Sequence, residues 1–225
     1  MNEKSFQKGV FILCAGGHGR VVIGILRENG IIPAGITDSD SSRSGADVDG
    51  IPIIGDDDSI LHKNPRKVVL VNAMGNRAGR GSSDLEKREA FYSKFKKLGF
   101  EFMQIISPSA AISDQVVLEE GCHIMTGAIV HPGTTVGVDS IINTGATLDH
   151  DCCIGPHCHV APGAVLCGGV EIGRRCHIGA GAVVIPGVAI GDDAVVGAGA
   201  VVIRDVAAGV TVTGNPANPV TDRRD

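Results

Sequence analysis

The sequence of 225 residues lacks tryptophan, and it has only six phenylalanines and one tyrosine. It lacks any apolar run close to the 18 residues of a transmembrane helix, and its first residues lack the charged and apolar segments of a secretory signal. It also lacks an excess of basic residues, because the net charge is −5. These absences predict a cytoplasmic protein that binds neither a membrane nor a nucleic acid.

The few aromatic residues end at Phe102, and this limit divides the chain in two. A core of ordinary size takes much of its volume from large rings. The second half is rich in Val, Ile, Ala and Gly, so it must fill its interior with small and aliphatic side chains. The seven cysteines are an odd number in a chain too long for a small secreted domain, which predicts reduced thiols.

A six-residue repeat runs through the second half. Every sixth residue from Ile112 to Val202 is Ile, Leu or Val, in all sixteen positions, and the residue four places later is always small or Val. Glycine often precedes that small residue, which suits tight turns with a positive φ. A period of six is neither helical nor that of an ordinary strand. It predicts a prism of about five coils, three hexapeptides to a coil, with the aliphatic residue pointing inward where no ring fits.

The first half has the pattern of a small α/β domain. The predicted order is β-α-β-β-α-β, with strands near 10–14, 33–37, 67–72 and 101–106 and helices over 21–27 and 84–98. This order indicates a truncated Rossmann-like sheet that binds its ligand at the carboxyl ends of the strands. The segment 107–110 (Ser-Pro-Ser-Ala) is the predicted boundary between the two halves.

A glycine cluster, Ala15-Gly16-Gly17-His18-Gly19, separates the first strand from the first helix. It is either a plain tight turn or a cradle for a phosphate or a sugar nucleotide, because Cys14 stands where a full G-x-G-x-x-G would begin. Asp38 lies 19 residues after Gly19, a spacing that suits ribose or base recognition but also arises by chance.

Histidines and cysteines are concentrated in the repeat, most densely over residues 148–159. The repeat places Cys152 and Cys158 at the small inward position, which favours core residues over a zinc site, and no metal is expected. Residues 18 apart should stack on successive coils. His159 should therefore lie beside His177, with His123 two coils below, either as a structural ladder or as the lining of a groove.

His150 lies outside this ladder, because Pro132 occupies its column one coil below. It is flanked by Asp149 and Asp151, which orient an imidazole and raise its basicity. The alternative is a solvated histidine beside two acids.

Several segments together point to a known family. They are Ala15-Gly16-Gly17-His18-Gly19-Arg20-Val21-Val22, Asp38, Gly75-Asn76, Ile106-Ser107-Pro108-Ser109-Ala110, Asp149-His150-Asp151 and Gly214-Asn215-Pro216-Ala217. With them the chain resembles, over nearly its whole length, the bacterial sialic-acid O-acetyltransferase and amino-sugar N-acetyltransferase family, whose best-described member acts in bacillosamine synthesis. It departs from that pattern at Cys14 and in a glycine- and serine-rich insertion over 79–84. This insertion is either a loop over the sugar site or extra length without a function.

The resemblance implies a Rossmann-like nucleotide-sugar domain over 1–106 and a left-handed parallel β-helix over 107–225. It also implies that acetyl-CoA binds between adjacent subunits of a homotrimer. His150 would be the general base, tuned by Asp151, which is Glu in some relatives, or by Asp149. The implied substrate-binding residues are Gly16, Gly17, His18, Asp38, Ser39 and Gly75. The implied acetyl-CoA-binding residues are His159, near the thioester, Gly168, Ala180 and Ala198.

The leading functional hypothesis is acetylation of the 4-amino group of a UDP- or GDP-linked 4-amino-4,6-dideoxy sugar, by direct attack on acetyl-CoA. O-acetylation of sialic acid or another sugar stays open, because the two activities share these motifs. An acyl-enzyme on Cys153 or Cys167 is the competing mechanism. A β-helical scaffold or sugar-nucleotide sensor without turnover is the alternative from another class.

Overall fold

The computed structural model describes residues 8–75 and 83–220. In chain order its first part contains β1 (Gly9–Leu13), α1 (Gly17–Glu28), β2 (Gly35–Thr37), a 3-10 turn (Ser41–Arg43), β3 (Asp47–Val48), β4 (Ile51–Pro52), α2 (Asp58–Leu61), a 3-10 turn (Pro65–Lys67), β5 (Val68–Asn72), α3 (Ser83–Lys97) and β6 (Glu101–Phe102). Strands β1, β2, β5 and β6 form a parallel sheet in the order β2-β1-β5-β6.

This sheet is covered on both faces, which explains the continuous apolar run in β1. One face packs with Val22 and Ile23 of α1, and the other with Tyr92 and Phe95 of α3. The predicted Rossmann-like order is confirmed, and helix α1 begins four residues before the predicted start. The hairpin of β3 and β4 and the short helix α2 were not predicted.

The second part is a parallel β-helix of about six turns with three faces. The first face contains Ile105–Ile106, His123–Ile124, Ile141–Ile142, His159–Val160, His177–Ile178, Val195–Val196 and Thr211–Thr213, with Asn218–Pro219 antiparallel at its end. The second face contains Ala111–Ile112, Ile129–Val130, Thr147–Leu148, Val165–Leu166, Val183–Val184 and Val201–Val202. The third face contains Val117–Leu118, Thr135–Val136, Cys153–Ile154, Glu171–Ile172 and Ala189–Ile190.

The interior of the β-helix consists of the residues that the six-residue period predicts. Fourteen of the sixteen aliphatic positions are at most 3% exposed, and the other two, Ile112 and Leu118 in the first coil, are half-buried against the same core. The small positions are buried beside them, including Cys122, Cys158 and Cys176. The predicted 18-residue stacking is confirmed too, because His159 pairs with His177 in register.

One predicted strand is wrong in its extent. The segment predicted as a single strand over 101–106 is two strands. Glu101–Phe102 extends the N-terminal sheet, whereas Ile105–Ile106 pairs with His123–Ile124 as the first strand of the β-helix. The sequence pattern of a short segment cannot show that its two ends pair with different sheets. The domain boundary at residue 107 stays a prediction.

The two parts pack against each other through the first face of the β-helix. Ile105, Met125 and Ile141 point outward from that face and are buried in one cluster with Ile23 and other residues of the N-terminal part. This contact places the glycine turn at the start of α1 beside the histidines of the first face. Within the described ranges, no helix is long and apolar enough to cross a membrane.

The narrow interior predicts a difference between two adjacent positions. Ile172 is buried in the third face, and its neighbour Glu171 is exposed. Ile172→Phe is expected to lower the free energy of unfolding by about 1–3 kcal/mol, because the added ring volume must displace stacked neighbours. Glu171→Phe adds the same ring outside the core, and urea unfolding should show almost no loss. Equal losses in both variants would contradict the view that a thin interior excludes aromatic residues.

Candidate active site

Two adjoining clefts open along the first face of the β-helix, and both have Asn143 and His159 in their walls. The first, of 490 Å³, lies between the N-terminal part and the β-helix. Its lining contains four of the predicted substrate residues, Gly16, Gly17, His18 and Gly75. The second, also 490 Å³, follows the β-helix alone and contains His159, Ala180 and Ala198, three of the predicted cofactor residues. The fold therefore brings these two predicted groups together at His159.

The glycine turn presents the amino end of α1 to the first cleft. Gly16 caps the helix with an extended backbone and no side-chain hydrogen bond, so the first amides of α1 have no capping side chain. A Cβ atom at Gly16 or Gly17 would meet no atom within 4 Å, whereas one at Gly19 would lie 2.6 Å from the carbonyl oxygen of Cys14. Gly19 is thus required for packing, and the other two glycines leave room for a ligand. Cys14 itself has a φ of 82°, a conformation that glycine adopts more easily.

His18 connects the two parts of the protein across the first cleft. Its Nε2 lies 3.0 Å from Nδ1 of His123 on the first face, and the two rings stack with centroids 5.2 Å apart. His123 is fully buried, and its Nε2 has no hydrogen-bond partner among the described residues. Burial, and secondarily the charge of Arg88, lowers the pKa of His18 to about 3 and that of His123 well below its ordinary value. Both rings are therefore neutral near pH 7.

His159 is held in one tautomer at the junction of the clefts. Asn143 accepts hydrogen bonds from the backbone and hydroxyl of Thr144 through Oδ1, so its amide nitrogen faces His159 and donates to Nε2 at 2.9 Å. Burial holds the pKa of His159 well below its ordinary value, so the ring is neutral and its proton lies on Nδ1. Within residues 8–75 and 83–220 this buried Nδ1 has no partner. The site thus contains a hydrogen-bond donor that Asn143 orients and that no described residue accepts.

Asp38 and Ser39 are not in the lining of the first cleft. Asp38 follows β2 and forms an ion pair with Arg43, which also donates to the carbonyl oxygen of Ala15 at 3.2 Å. Arg43 therefore ties Asp38 to the start of the glycine turn. Ser39 is exposed.

His150 lies on a different corner of the prism from the clefts. Its side chain is 63% exposed at the turn between the second and third faces, whereas the second cleft follows the turn between the first and second faces. Asp151 Oδ2 accepts from Nδ1 at 2.8 Å, and Asp149 accepts from the backbone N–H of His150. The hydrogen bond to Asp151, with help from the charge of Asp149, raises the pKa of His150.

Gly168 stacks one coil above His150 and belongs to its corner. A Cβ atom there would lie 2.5 Å from His150 Nε2, so any other residue at this position would displace the imidazole from its present orientation. The single chain therefore separates His150, Asp151 and Gly168 from the remaining predicted site residues. Asn76 and residues 79–82 of the insertion predicted near the sugar site lie outside the described residues.

Metal-binding side chains are not gathered in this region. Among residues 8–75 and 83–220, no group of three or more His, Cys, Asp or Glu residues is arranged to hold a metal ion. Cys152 and Cys158 point into the core, and His150 points away from it, so these three do not form one ligand set.

Comparison with known proteins agrees with this arrangement of clefts on a β-helix. The family profile of the PglD N-terminal domain matches residues 9–82, and two hexapeptide profiles, of bacterial transferases and of succinyl-transferase, match residues 169–204 and 149–185. No curated protein sequence matches the chain. Among solved structures, PerB, the perosamine N-acetyltransferase of Caulobacter crescentus, is 39% identical with a TM-score of 0.86, over 95% of this chain and 97% of that one. The chain belongs to the sialic-acid O-acetyltransferase and amino-sugar N-acetyltransferase family.

Two further solved structures extend this family match. The acetyltransferase domain of PglB from Neisseria gonorrhoeae is 32% identical with a TM-score of 0.85, over 95% of this chain and 100% of that one. WeeI from Acinetobacter baumannii is 27% identical with a TM-score of 0.84, over the same shares. PerB was solved with CoA and GDP-perosamine, and the PglB domain with acetyl coenzyme A. The protein is an acetyltransferase, and its solenoid is the left-handed β-helix of the hexapeptide-repeat enzymes.

Sequence reasoning missed two residues near the clefts that the structure brings forward. Asn143 had a detectable signal, because it is a long polar residue in a column that continues upward with Ala161, Gly179 and Gly197. His123 was seen only as a ladder member. Its contact with His18 joins residues 105 positions apart and follows from the docking of the two parts.

Proposed function

We propose that the enzyme transfers the acetyl group of acetyl-CoA to the 4-amino group of a UDP- or GDP-linked 4-amino-4,6-dideoxy sugar. The observation that carries this proposal is the junction of two clefts at His159, one opening from the amino end of a helix and the other following the β-helix. The GDP-perosamine and CoA bound by PerB, a 39% identical relative, support the same pair of substrates.

The first cleft suits the nucleotide sugar. The unfilled amides and positive end of the α1 dipole favour a diphosphate, and Gly16 and Gly17 leave space for it. His18 and Gly75 line the same cleft, and Asp38 and Ser39 follow the adjacent strand, on the side where a ribose or base would extend. In this proposal the N-terminal domain, residues 1–106, carries substrate recognition.

The second cleft suits acetyl-CoA. Its walls are mainly apolar, and Ala180 and Ala198 are exposed there without long side chains to block a pantetheine arm. In this proposal the Nδ1–H of His159, which has no acceptor among the described residues, donates to the thioester carbonyl of acetyl-CoA. As the amine attacks, the new N–C bond forms and the C–S bond breaks. The amine proton passes to His150, and CoA leaves as the thiol after it receives a proton.

A homotrimer would bring His150 to these clefts from a neighbouring subunit. The chain by itself keeps His150 and Gly168 on another corner of the prism, so the site is incomplete without a second copy. The second face, next to both corners, has an outward column that is apolar except for Thr147 and is exposed or half-buried. It contains Ile129, Val165, Val183 and Val201. Such a column suits a contact between subunits, because an exposed apolar surface gains stability when a partner covers it.

The deciding experiment is an acetyl-transfer assay with UDP-, GDP- and dTDP-linked 4-amino sugars and with free sialic acid. Turnover of a UDP- or GDP-linked amino sugar, with an N-acetyl product by mass spectrometry, would support the proposal. Turnover of sialic acid alone would instead assign O-acetylation. Binding of both ligands without any product would assign a sensor or scaffold.

His159→Ala is expected to raise the KM for acetyl-CoA by about 10-fold or more, because a buried hydrogen bond to the thioester is lost. The KM for the nucleotide sugar should change much less. Steady-state kinetics with each substrate varied in turn measures both. An unchanged KM for acetyl-CoA would remove His159 from the cofactor site.

The native mass of the enzyme is expected to equal three chains, measured by light scattering after size exclusion. Val183→Asp places a charge in the outward apolar column and is expected to give monomers with little activity. Ile32→Asp, at a residue 78% exposed on the N-terminal domain, is the matched control and should stay trimeric and active. A fully active monomer would contradict the shared site.

A further inference from the structure

A buried ion pair lies behind the first cleft, between the two domains. Arg88 of α3 is 1% exposed, and Asp139, at the turn between the third and first faces of the β-helix, is fully buried. Arg88 Nη2 donates to Asp139 Oδ1 at 2.7 Å, and Nε donates to the backbone carbonyl of Asp139 at 2.9 Å. His157, one coil above, lies with Nδ1 3.1 Å from the other carboxylate oxygen.

The remaining donors of Arg88 hold the wall of the cleft. Nη1 donates to the carbonyl oxygens of Asn72 at 2.8 Å and Met74 at 2.6 Å. The Asn72 side chain in turn donates to the Asp139 carboxylate at 3.1 Å and accepts from the Met74 N–H at 3.3 Å. Met74 and Gly75 line the first cleft. One guanidinium therefore connects this wall to a carboxylate fixed in the rigid β-helix.

We propose that Arg88 is a positioning residue that, through Asp139, fixes the cleft wall over 72–75 and thereby sets the affinity for the nucleotide sugar. This inference rests on the proposed function, which places that substrate in the first cleft. Arg88 touches neither the second cleft nor His150, so binding of acetyl-CoA should not depend on it. Arginine suits the task because its planar fork reaches four acceptors in fixed directions.

Neighbouring ion pairs provide a control for a purely structural role. Glu89, the next residue of α3, pairs with Arg174 and Arg175 of the β-helix, and Lys96 pairs with Glu120. These contacts also hold α3 against the β-helix, but none of them reaches the cleft wall. If these residues only hold the domains together, Glu89 and Arg88 variants should show the same change in kinetics. If Arg88 positions the cleft wall, only the Arg88 variant should lose affinity for the nucleotide sugar.

The test compares Arg88→Lys with Glu89→Gln in steady-state kinetics, with thermal unfolding as a check on folding. Lysine keeps the charge, but its single ammonium cannot reach both wall carbonyls and Asp139. In Arg88→Lys the KM for the nucleotide amino sugar should rise about 10-fold or more, with the KM for acetyl-CoA unchanged within about 2-fold. Glu89→Gln should leave both values near wild type. Should Arg88→Lys fold poorly, Asn72→Ala, which keeps the ion pair but removes the amide link between the Asp139 carboxylate and the Met74 N–H, should show the same split.

Equal rises in the KM for both substrates, or the same effect in Glu89→Gln, would overturn the proposal. The pair of Arg88 and Asp139 would then have only a structural role. Direct binding separates this outcome from a failure of the proposed function. Calorimetry with GDP and UDP on wild type and Arg88→Lys needs no turnover. Weaker nucleotide binding in the variant, with CoA binding unchanged, supports the positioning role even if no amino sugar is acetylated. Equal nucleotide binding refutes it.

Discussion

His150→Ala is expected to lower kcat by about 10²- to 10⁴-fold, with little change in the KM for either substrate, because the reacting amine loses its proton acceptor. The side chain is 63% exposed in the single chain, so its removal should not disturb the core. Initial rates with saturating acetyl-CoA and the best sugar from the substrate panel measure the effect.

The matched control for this variant is His62→Ala, an exposed histidine at the end of α2 in the N-terminal part that lines neither cleft. It should retain wild-type turnover and the same trimeric mass. Near-normal turnover in His150→Ala would remove this residue from the mechanism, and Asp151 with it.

The pH profile tests the same base in a second way. A general base must be neutral to accept a proton, and the hydrogen bond that His150 donates to Asp151 raises the pKa of His150 above its ordinary value. Activity should therefore rise with pH through this raised pKa. Asp151→Asn removes the largest cause of the shift, so the acid limb should move to lower pH while the plateau falls through poorer orientation. Both pH profiles are measured with the same sugar, so ionisation of its amine affects the wild type and Asp151→Asn equally. An acid limb that does not move would assign the orienting role to Asp149.

Asp139→Ala is expected to lower the free energy of unfolding by about 3–5 kcal/mol, because it leaves the Arg88 guanidinium buried without its counter-charge. Arginine remains charged even though burial lowers its pKa. Removal of the Asp139 carboxylate also removes the hydrogen-bond partner of the Asn72 and His157 side chains. Urea unfolding at one fixed protein concentration measures it, since assembly makes apparent stability depend on concentration.

Asp193→Ala provides the comparison, since Asp193 lies three coils further along the same corner and also has a positive φ. Its ion pair with Arg175 is partly exposed, and Glu89 remains beside Arg175 after the change. Its expected cost is about 1 kcal/mol or less. Similar costs at both positions would show that burial of the Arg88 pair contributes little.

The architecture could be predicted from local pattern. The sixteen aliphatic positions and the small residues four places later are the core of the β-helix, and the 18-residue stacking of His159 on His177 follows from three hexapeptides per coil. The glycine turn between β1 and α1 was predictable for the same reason, because strand, turn and helix are contiguous in the chain. The predicted strand over 101–106 could not be divided in this way, since the pattern of a short segment does not show which sheet each of its ends joins.

The sequence could predict individual residues of the candidate site, but not the contacts that bring them together from the two domains. The stacking of Gly168 on His150 is an 18-residue relation and can be read from the repeat. The contact of His18 with His123 and the contacts of Arg88 with Asp139 cannot, because a charged residue on an amphipathic helix ordinarily faces solvent. Arg88 is buried because α3 docks on a corner of the β-helix.

The sequence by itself determined the thin interior after Phe102, because a six-residue period leaves each coil only one aliphatic and one small side chain per face. It also determined which residues share a column. Only the tertiary structure decided that the glycine turn faces the histidines of the first face, that Asn143 and His159 join two clefts, and that His150 lies on another corner. These relations depend on how two domains dock, and docking depends on complementary shape and charge between residues far apart in the chain.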